Sequence, residues 1–349
     1  MEESNKFIGT AYVGIDVHKR SWKVCLLGDF GFMKEFSCNP DTKTLVKSIT
    51  NLLPNFQFKC CYEAGFSGFI LHDELNETDA CSCIIVNPAD IPTSDKERTQ
   101  KEDKRDARKI ATQLKAGGIK GIYVPSKLDV GLRETQRLCH TITKELSRSK
   151  IRVKSFLMRH NITPPKEQFK TAKQHWSAKF IKWLKELELS NTGLRFTLTE
   201  LTQCLERLKL QKVNILKELR KQIQEAGKES VFNKVTSIPG IGIIGGVTII
   251  TELIDIKRFR SYESFHSFIG LVPSTNNSGS SEKIRGITGR SNRRLRNTLI
   301  EASWIAIKFD THLFHLYHEL KQRMSPNKAI IRIAKKIATT IRFNLLQIQ

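Results

Sequence analysis

Four acidic residues are spaced so that a divalent metal could be held between them. The stretch YVGIDVHKRSW, from Tyr12 to Trp22, opens with an apolar, β-prone run and places Asp16 at its end. In FKCCYEAGFSG, Glu63 ends a second such run, Phe58 to Tyr62, just before Gly65 and Gly68. In KEDKRDARKIA, Asp103 and Asp106 stand three apart on a predicted helix and so share one face. A carboxylate at the end of a buried strand is costly unless a metal or hydrogen bonds satisfy it. Asp16, Glu63, Asp103 and Asp106 are therefore a candidate metal-binding cluster. His18 follows Asp16 closely, where it can hydrogen-bond a substrate or a metal-bound water, or serve the structure alone.

A second candidate lies toward the other end. A Ser- and Gly-rich stretch without apolar residues runs from Ser274 to Glu282, followed by Lys283, Arg285, Arg290, Arg293, Arg294 and Arg296. Hydroxyls beside arginines are usually solvated surface. They are also what an activated serine facing a phosphodiester requires, with arginines holding the phosphate oxygens. Upstream, VTSIPGIGIIGGVTIITELIDI has the shape of a helix–hairpin–helix element. Backbone amides at its Gly240 and Gly242 turn can bind a phosphate of DNA. A lone PGIG is a weak signal, and its weight comes from the basic stretch that follows.

The elements that must position these residues follow from periodicity. AYVGIDV, SWKVCLL and GFMKEFSC read as a three-stranded meander. DTKTLVKSITNLL reads as a helix with Asp41 as its N-cap. FKCCYE and CSCIIV are further strands, GFILHDELNE a helix between them, and a helix spans about 102–114. Three antiparallel strands followed by alternating helices and strands is the order of an RNase H-like α/β domain. From about 129 to 158, and again from about 196 to 226, the chain is charged, nearly free of Gly and Pro, and periodic in Leu, Ile and Val. These runs read as a surface helical hairpin or as an antiparallel coiled-coil arm. Trp176 and Trp183 lie beside lysines in the segment between, a mixture that suits nucleic-acid contacts or a small packed helix. The final helices, THLFHLYHELKQRM and PNKAIIRIAKKIATTIRFNLL, are basic and amphipathic. The division expected is 8–126 for the acidic α/β domain, 127–230 for the arm and 231–349 for a mainly α domain with the serine loop.

The 349 residues carry 58 Lys and Arg against 35 Asp and Glu, a net charge of +23 spread along the whole length. Such a balance favours a polyanionic partner, usually nucleic acid, over a membrane surface. The N-terminus has no positive region followed by an apolar one, so a cytoplasmic protein is expected. Eight cysteines without CxxC spacing read as reduced core thiols.

The order of motifs resembles the DEDD transposases of the IS-one-ten insertion-sequence family, relatives of Piv-type DNA invertases. GIDVHK, YEAGFSG and KEDKRDARKIA carry the N-terminal block, and IPGIG, RFRSYESFHSFIGLVP, SG and ITGRSNRRLRNTLIEAS the C-terminal one. The resemblance implies a RuvC-like site in which Asp16, Glu63, Asp103 and Asp106 hold Mg2+ or Mn2+. It implies that a serine joins covalently to DNA, and the serine of the SG motif is Ser278. Ser274, Ser280 and Ser281 are neighbouring hydroxyls that compete for that assignment. Glu102 stands where relatives have a threonine, an extra carboxylate expected to face away from the metal. Implied partners are the element's DNA ends, the target DNA and a noncoding guide RNA, with a homodimer or tetramer as the working assembly. Arg285, Arg290, Arg293 and Arg294 are the expected nucleic-acid contacts, together with the Gly240–Gly242 turn. The rival readings are a RuvC-like structure-specific nuclease without a covalent serine step, and a non-catalytic nucleic-acid-binding protein.

Overall fold

In GTAYVGID, Ala11, Val13 and Ile15 alternate as one apolar face, and the other face carries no charge until Asp16. This run forms strand β1, Gly9–Asp16, followed by β2, Trp22–Gly28, and β3, Met33–Cys38. Helix α1, Thr42–Leu52, begins at Asp41, whose side chain accepts from the Thr44 amide as an N-cap should. Strand β4, Phe56–Glu63, helix α2, Ile70–Asn76, and strand β5, Cys81–Val86, complete the sheet. A short 3-10 turn at Pro88–Asp90 follows, then helix α3, Asp103–Lys115, close to the range its periodicity predicts. The computed structural model describes residues 7–92, 103–171, 174–278, 281–287 and 291–348. The chain divides into two compact units, Met1–Val124 and Pro125–Gln349.

In the first unit the strand order is β3-β2-β1-β4-β5. β1 pairs antiparallel with β2 and parallel with β4, and β4 pairs parallel with β5. One face of the sheet (Val13, Ile15, Val24, Phe58, Cys60 and Tyr62 among others) shares a core with Leu45 and Ile49 of α1 and Leu71 and Leu75 of α2. The other face carries Cys25, Gly14 and Cys61 side by side across β2, β1 and β4. Helix α3 covers that row: Ala107 and Ala111 pack on Cys25, and Ile110 on Cys61. The helix passes so close to β1 that a Cβ on Gly14 would lie 2.1 Å from the Ala107 carbonyl oxygen.

Among the described residues the second unit is helical apart from one hairpin. The long helices α4, Lys127–Arg159, and α6, Thr192–Glu225, pack along each other. Lys228, just beyond α6, pairs with Asp129 in the first turn of α4, so the two run antiparallel. Between them α5, Ala178–Glu186, gathers Phe169, Trp176, Phe180 and Trp183 into a ring cluster with centroids 5.1–5.9 Å apart. Both tryptophans are half-buried there, the small packed helix of the two readings the segment allowed. α7, Glu229–Thr236, and α8, Ile243–Leu253, flank the SIPGIG turn as expected for a helix–hairpin–helix shape. α9, Tyr262–Ile269, leads to strands β6, Pro273–Ser278, and β7, Ser281–Ile287. Helices α10, Arg293–Phe309, α11, Thr311–Arg323, and α12, Pro326–Leu346, close the unit. The arm and these helices share one apolar core, from Leu132 and Leu205 to Leu299 and Ile337. No helix among the described residues is long and apolar enough to cross a membrane.

The stretch from Ser274 to Glu282, read from its composition as a loop, is largely strand. Its lack of apolar residues hid the pairing, because a two-stranded ribbon need not bury either face. The seven cysteines in buried positions and Cys204 are all unpaired thiols. Burial pushes the Cys25 and Cys61 thiols up to about 11 and about 12, so they remain neutral packing groups.

Because helix α3 sits against bare backbone at residue 14, Gly14→Ala should destabilise the first unit by about 2 kcal/mol, in the range of overpacked sites. Urea unfolding of the full chain checks this, with an unchanged midpoint counting against the close approach.

Candidate active site

Asp16 and Glu63 reach the same rim through strand register. Ile15 pairs with Tyr62, and each acid is the next residue on its strand, so the two stand at the carboxyl ends of neighbouring parallel strands. By alternation Asp16 lies on the face of Gly14, and Glu63 on the face of Cys61, which is the face that α3 covers. Burial raises the Cys61 thiol first, and the Glu63 carboxylate beside it adds to the rise. The turns that follow the two acids also meet: Lys19 Nζ lies 6.0 Å from the centre of the Phe66 ring. The Tyr62 hydroxyl donates to the Gly68 carbonyl at 3.0 Å, fixing the turn after Glu63.

Helix α3 runs antiparallel to β1. Lys115 at its end donates to the Gly28 carbonyl at 2.8 Å, and Gly28 pairs with Ala11 near the start of β1. Ala107 and Ala111 lie over Gly14 in the middle. The first turn, with Asp103 and Asp106, therefore extends toward the Asp16 end of the strand. Asp106 is half-buried there; the side chain of Asp103, and Glu102 entirely, lie outside the described residues.

Asp16 is only 20% exposed, and His18 Nε2 lies 2.8 Å from its Oδ2, a hydrogen bond in which the carboxylate accepts. Among the described residues no group of three or more His, Cys, Asp or Glu side chains is close enough to hold a metal by itself. Asp16, Glu63 and Asp106 are carboxylates, whose oxygens are hard donors of the kind that divalent metal ions accept.

In the second unit, Ser278 is the last residue of β6 and pairs with Ser281, which puts it at the tip of the β6–β7 hairpin. Ser274 lies near the other end, beside Pro273, which pairs with Ile287. Arg285 is on β7, and its side chain, like that of Ser278, lies outside the described part, as does Arg290 altogether. Arg293 and Arg294 are exposed in the first turn of α10, which holds no acidic residue. Cations at a helix N-terminus add to the positive end of its dipole, which concentrates potential for an anion. Burial lowers the His140 pKa, and Lys144 and Arg294 lower it further against the opposing Glu301, so α4 and α10 bring charges of both signs near this histidine. Gly240 packs with its Cα against the α10 backbone, where a Cβ would lie 2.2 Å from the Ala302 oxygen. Gly242 is the N-cap of α8 and supplies no side-chain cap to that helix start.

The sequence reading missed one group. Glu252, within the apolar α8, is 1% exposed. Arg133 Nη2 lies 3.0 Å from its Oε2, Arg137 Nε 3.7 Å from its Oε1, and Asn292 Nδ2 donates to Oε2 at 2.8 Å. Burial opposes its charge, but Arg133, Asn292 and Arg137 outweigh that and hold the carboxyl below its ordinary range. The one available signal was a lone acid in a helix otherwise reading IIGGVTIIT.

Two family models match the chain in the order these sites occur. A DEDD transposase model of the IS110 type matches residues 13–162, and a model described as the transposase IS116/IS110/IS902 family matches 233–319. The y4qE protein of Sinorhizobium fredii, a transposase by name, is 26% identical over 300 residues, 84% of this chain and 71% of its own. The transposase for insertion sequence element IS1533 of Leptospira borgpetersenii is 28% identical over 255 residues, 70% of each chain. That for IS1111A of Coxiella burnetii is 26% identical over 154 residues, 43% of this chain and 42% of its own. Both models and these relatives define a DNA transposase. The chain belongs to the IS110 family of insertion-sequence DEDD transposases.

The depressed Glu252 carboxyl sets a sign for the pH dependence of stability. Its charged form is favoured by folding, so its contribution is complete above the ordinary glutamate value of 4.5 and is lost as pH falls below it. Thermal unfolding of the wild type should weaken on acidification through that window. Glu252→Gln should be less stable at neutral pH and show a flatter profile; parallel profiles would contradict the assignment.

Proposed function

We propose that the chain cuts and rejoins DNA at the ends of its insertion sequence through Ser278, with Asp16, Glu63, Asp103 and Asp106 holding a divalent metal. The observation that carries this reading is the direction of α3, whose acidic first turn extends toward the strand ends bearing Asp16 and Glu63. The strand order and the helices on both faces support an RNase H-like, RuvC-type site. Divalent-metal dependence is general to DEDD transposases; the ion proposed here is Mg2+, with Mn2+ as substitute. When bound, such an ion supplies Lewis-acid polarisation of a phosphate oxygen and of the leaving oxygen.

The chain's own groups supply the rest. The Ser278 hydroxyl attacks the scissile phosphorus, forming a phosphoserine ester while the bond to a deoxyribose oxygen breaks and that oxygen takes up a proton. The phosphodiester energy is kept in the new ester, so the reverse attack by another strand rejoins DNA without a high-energy cofactor. Arg285, Arg290, Arg293 and Arg294 balance charge on the phosphates, and the His18 contact holds Asp16 in place. The acids and the serine lie in different units, so both must reach one phosphate, within a chain or between protomers. Several strands are broken, which supports a dimer and a tetrameric working complex. The net charge of +23 is sufficient for a noncoding guide RNA as well as DNA. On this reading 8–126, 127–230 and 231–349 are the metal, arm and serine parts of an enzyme acting in a bacterial cytoplasm.

Incubation with Mg2+, element-end DNA and RNA transcribed from its flanks should give a protein–DNA adduct on a denaturing gel. Ser278→Ala and Asp16→Asn should each abolish it while changing DNA affinity less than about twofold. Free cut ends that persist in Ser278→Ala would instead indicate a RuvC-like nuclease. DNA affinity should fall steeply with salt, and Arg294→Ala should reduce the slope of log K against log salt by about one. An unchanged slope would remove Arg294 from the phosphate contacts.

A further inference from the structure

The β6–β7 hairpin pairs with no other strand among the described residues. A lone two-stranded ribbon is marginally stable, so its direction is set by the segments that hold its root. The chain enters the root at Gly270 and Leu271, and leaves it at Ser291 and Asn292. These ends are bound together: the Asn292 amide donates to the Phe268 carbonyl at 2.9 Å, and Gly270, at φ +80°, packs against Ser291. The joined root is then tied to the rest of the unit through Asn292 and Glu252, and through Glu252 to Arg133 and Arg137 on the arm helix α4.

We infer that Glu252 is a positioning residue, which fixes the root of the serine hairpin to the helical arm by way of Asn292, Arg133 and Arg137. The inference rests on the reading of Ser278 as nucleophile only for its effect on reaction rate. Among the described residues Glu252 is the one acidic side chain that is fully buried. Its network is poorly built for stability alone: Glu252 Oε1, Arg133 Nε and Arg137 Nε are buried with no hydrogen-bond partner among the described residues. Buried ion pairs seldom stabilise more than apolar packing would, and their best-attested use is to fix one arrangement among several. Here the arrangement matters because of leverage. The five steps from Pro273 to Ser278 span about 17 Å, so a 10° tilt at the root displaces the tip by about 3 Å. Misplacement by about 1 Å can lower a rate about a hundredfold.

The test uses the full-length chain and two variants. Glu252→Gln keeps the shape and removes the charge. Asn292→Ser keeps a side chain able to cap α10 while removing the donor to Glu252, so it preserves the fold should Glu252→Gln not. Amide hydrogen exchange on the free chain should rise across 273–287 in both variants by at least tenfold more than in the centres of α8 and α10. With end DNA, flank RNA and Mg2+, adduct formation should slow ten- to a hundredfold, with the DNA dissociation constant within about twofold of wild type. Unchanged exchange in the hairpin overturns the inference, as does a loss of adduct that merely follows loss of DNA affinity or exchange that rises by the same factor in the hairpin and in the helix centres. An adduct that survives Ser278→Ala defeats the serine assignment instead, and hairpin exchange still decides the role of Glu252.

Discussion

Everything at the acidic rim depends on how near a helix backbone can come to a strand backbone. Helix α3 lies on β1 at a distance that no side chain at position 14 would permit. Small residues on the helix side, Ala107 and Ala111, make the same allowance from above. Van der Waals contact at this range admits little variation, since close-packed interiors do not deform continuously. The helix start, with its two aspartates, is consequently held relative to the strand ends by packing and not by the acids. Like charges repel, so an approach of acidic segments to one another has to come from forces that do not involve their charge.

The second unit solves a comparable problem by other means. Its hairpin pairs with no other strand among the described residues, and the helix that follows it begins with arginines. A buried carboxylate there neutralises Arg133 and Arg137 and anchors the Asn292 N-cap of α10. Arg293 and Arg294 stay exposed at the start of that helix. Two cations are thus paired with a buried acid, while two others stand exposed at the start of α10. Exposed cations are suited to a polyanion, whose binding releases counterions.

Much of this was legible in the chain itself. Strand ends at Asp16 and Glu63, the helix bearing Asp103 and Asp106, the N-cap at Asp41 and the long arm helices all follow from local periodicity and capping, which act over a few residues. The hairpin at Pro273–Ser278 and Ser281–Ile287 was not legible, because polar strands lack the alternation that marks a buried face. Trp176 and Trp183 were ambiguous for a related reason: an aromatic beside lysines suits a base or a core equally, and only the ring cluster around Phe180 decides for packing.

The sequence by itself determined which residue types were available and which stood on the same local face: the four acids, the serines of the SG stretch and the excess of positive charge. The tertiary structure alone decided which of them come together. Register between β1 and β4 set Asp16 beside Glu63, and the direction of α3 brought its first turn to their end of the sheet. Pairing of Ser278 with Ser281 set that serine, and not Ser274, at the hairpin tip. The union of Glu252 with Arg133 and Asn292 joins positions 119 and 40 residues away along the chain. Local pattern carries no information about such distances, because burial selects partners by the space they share.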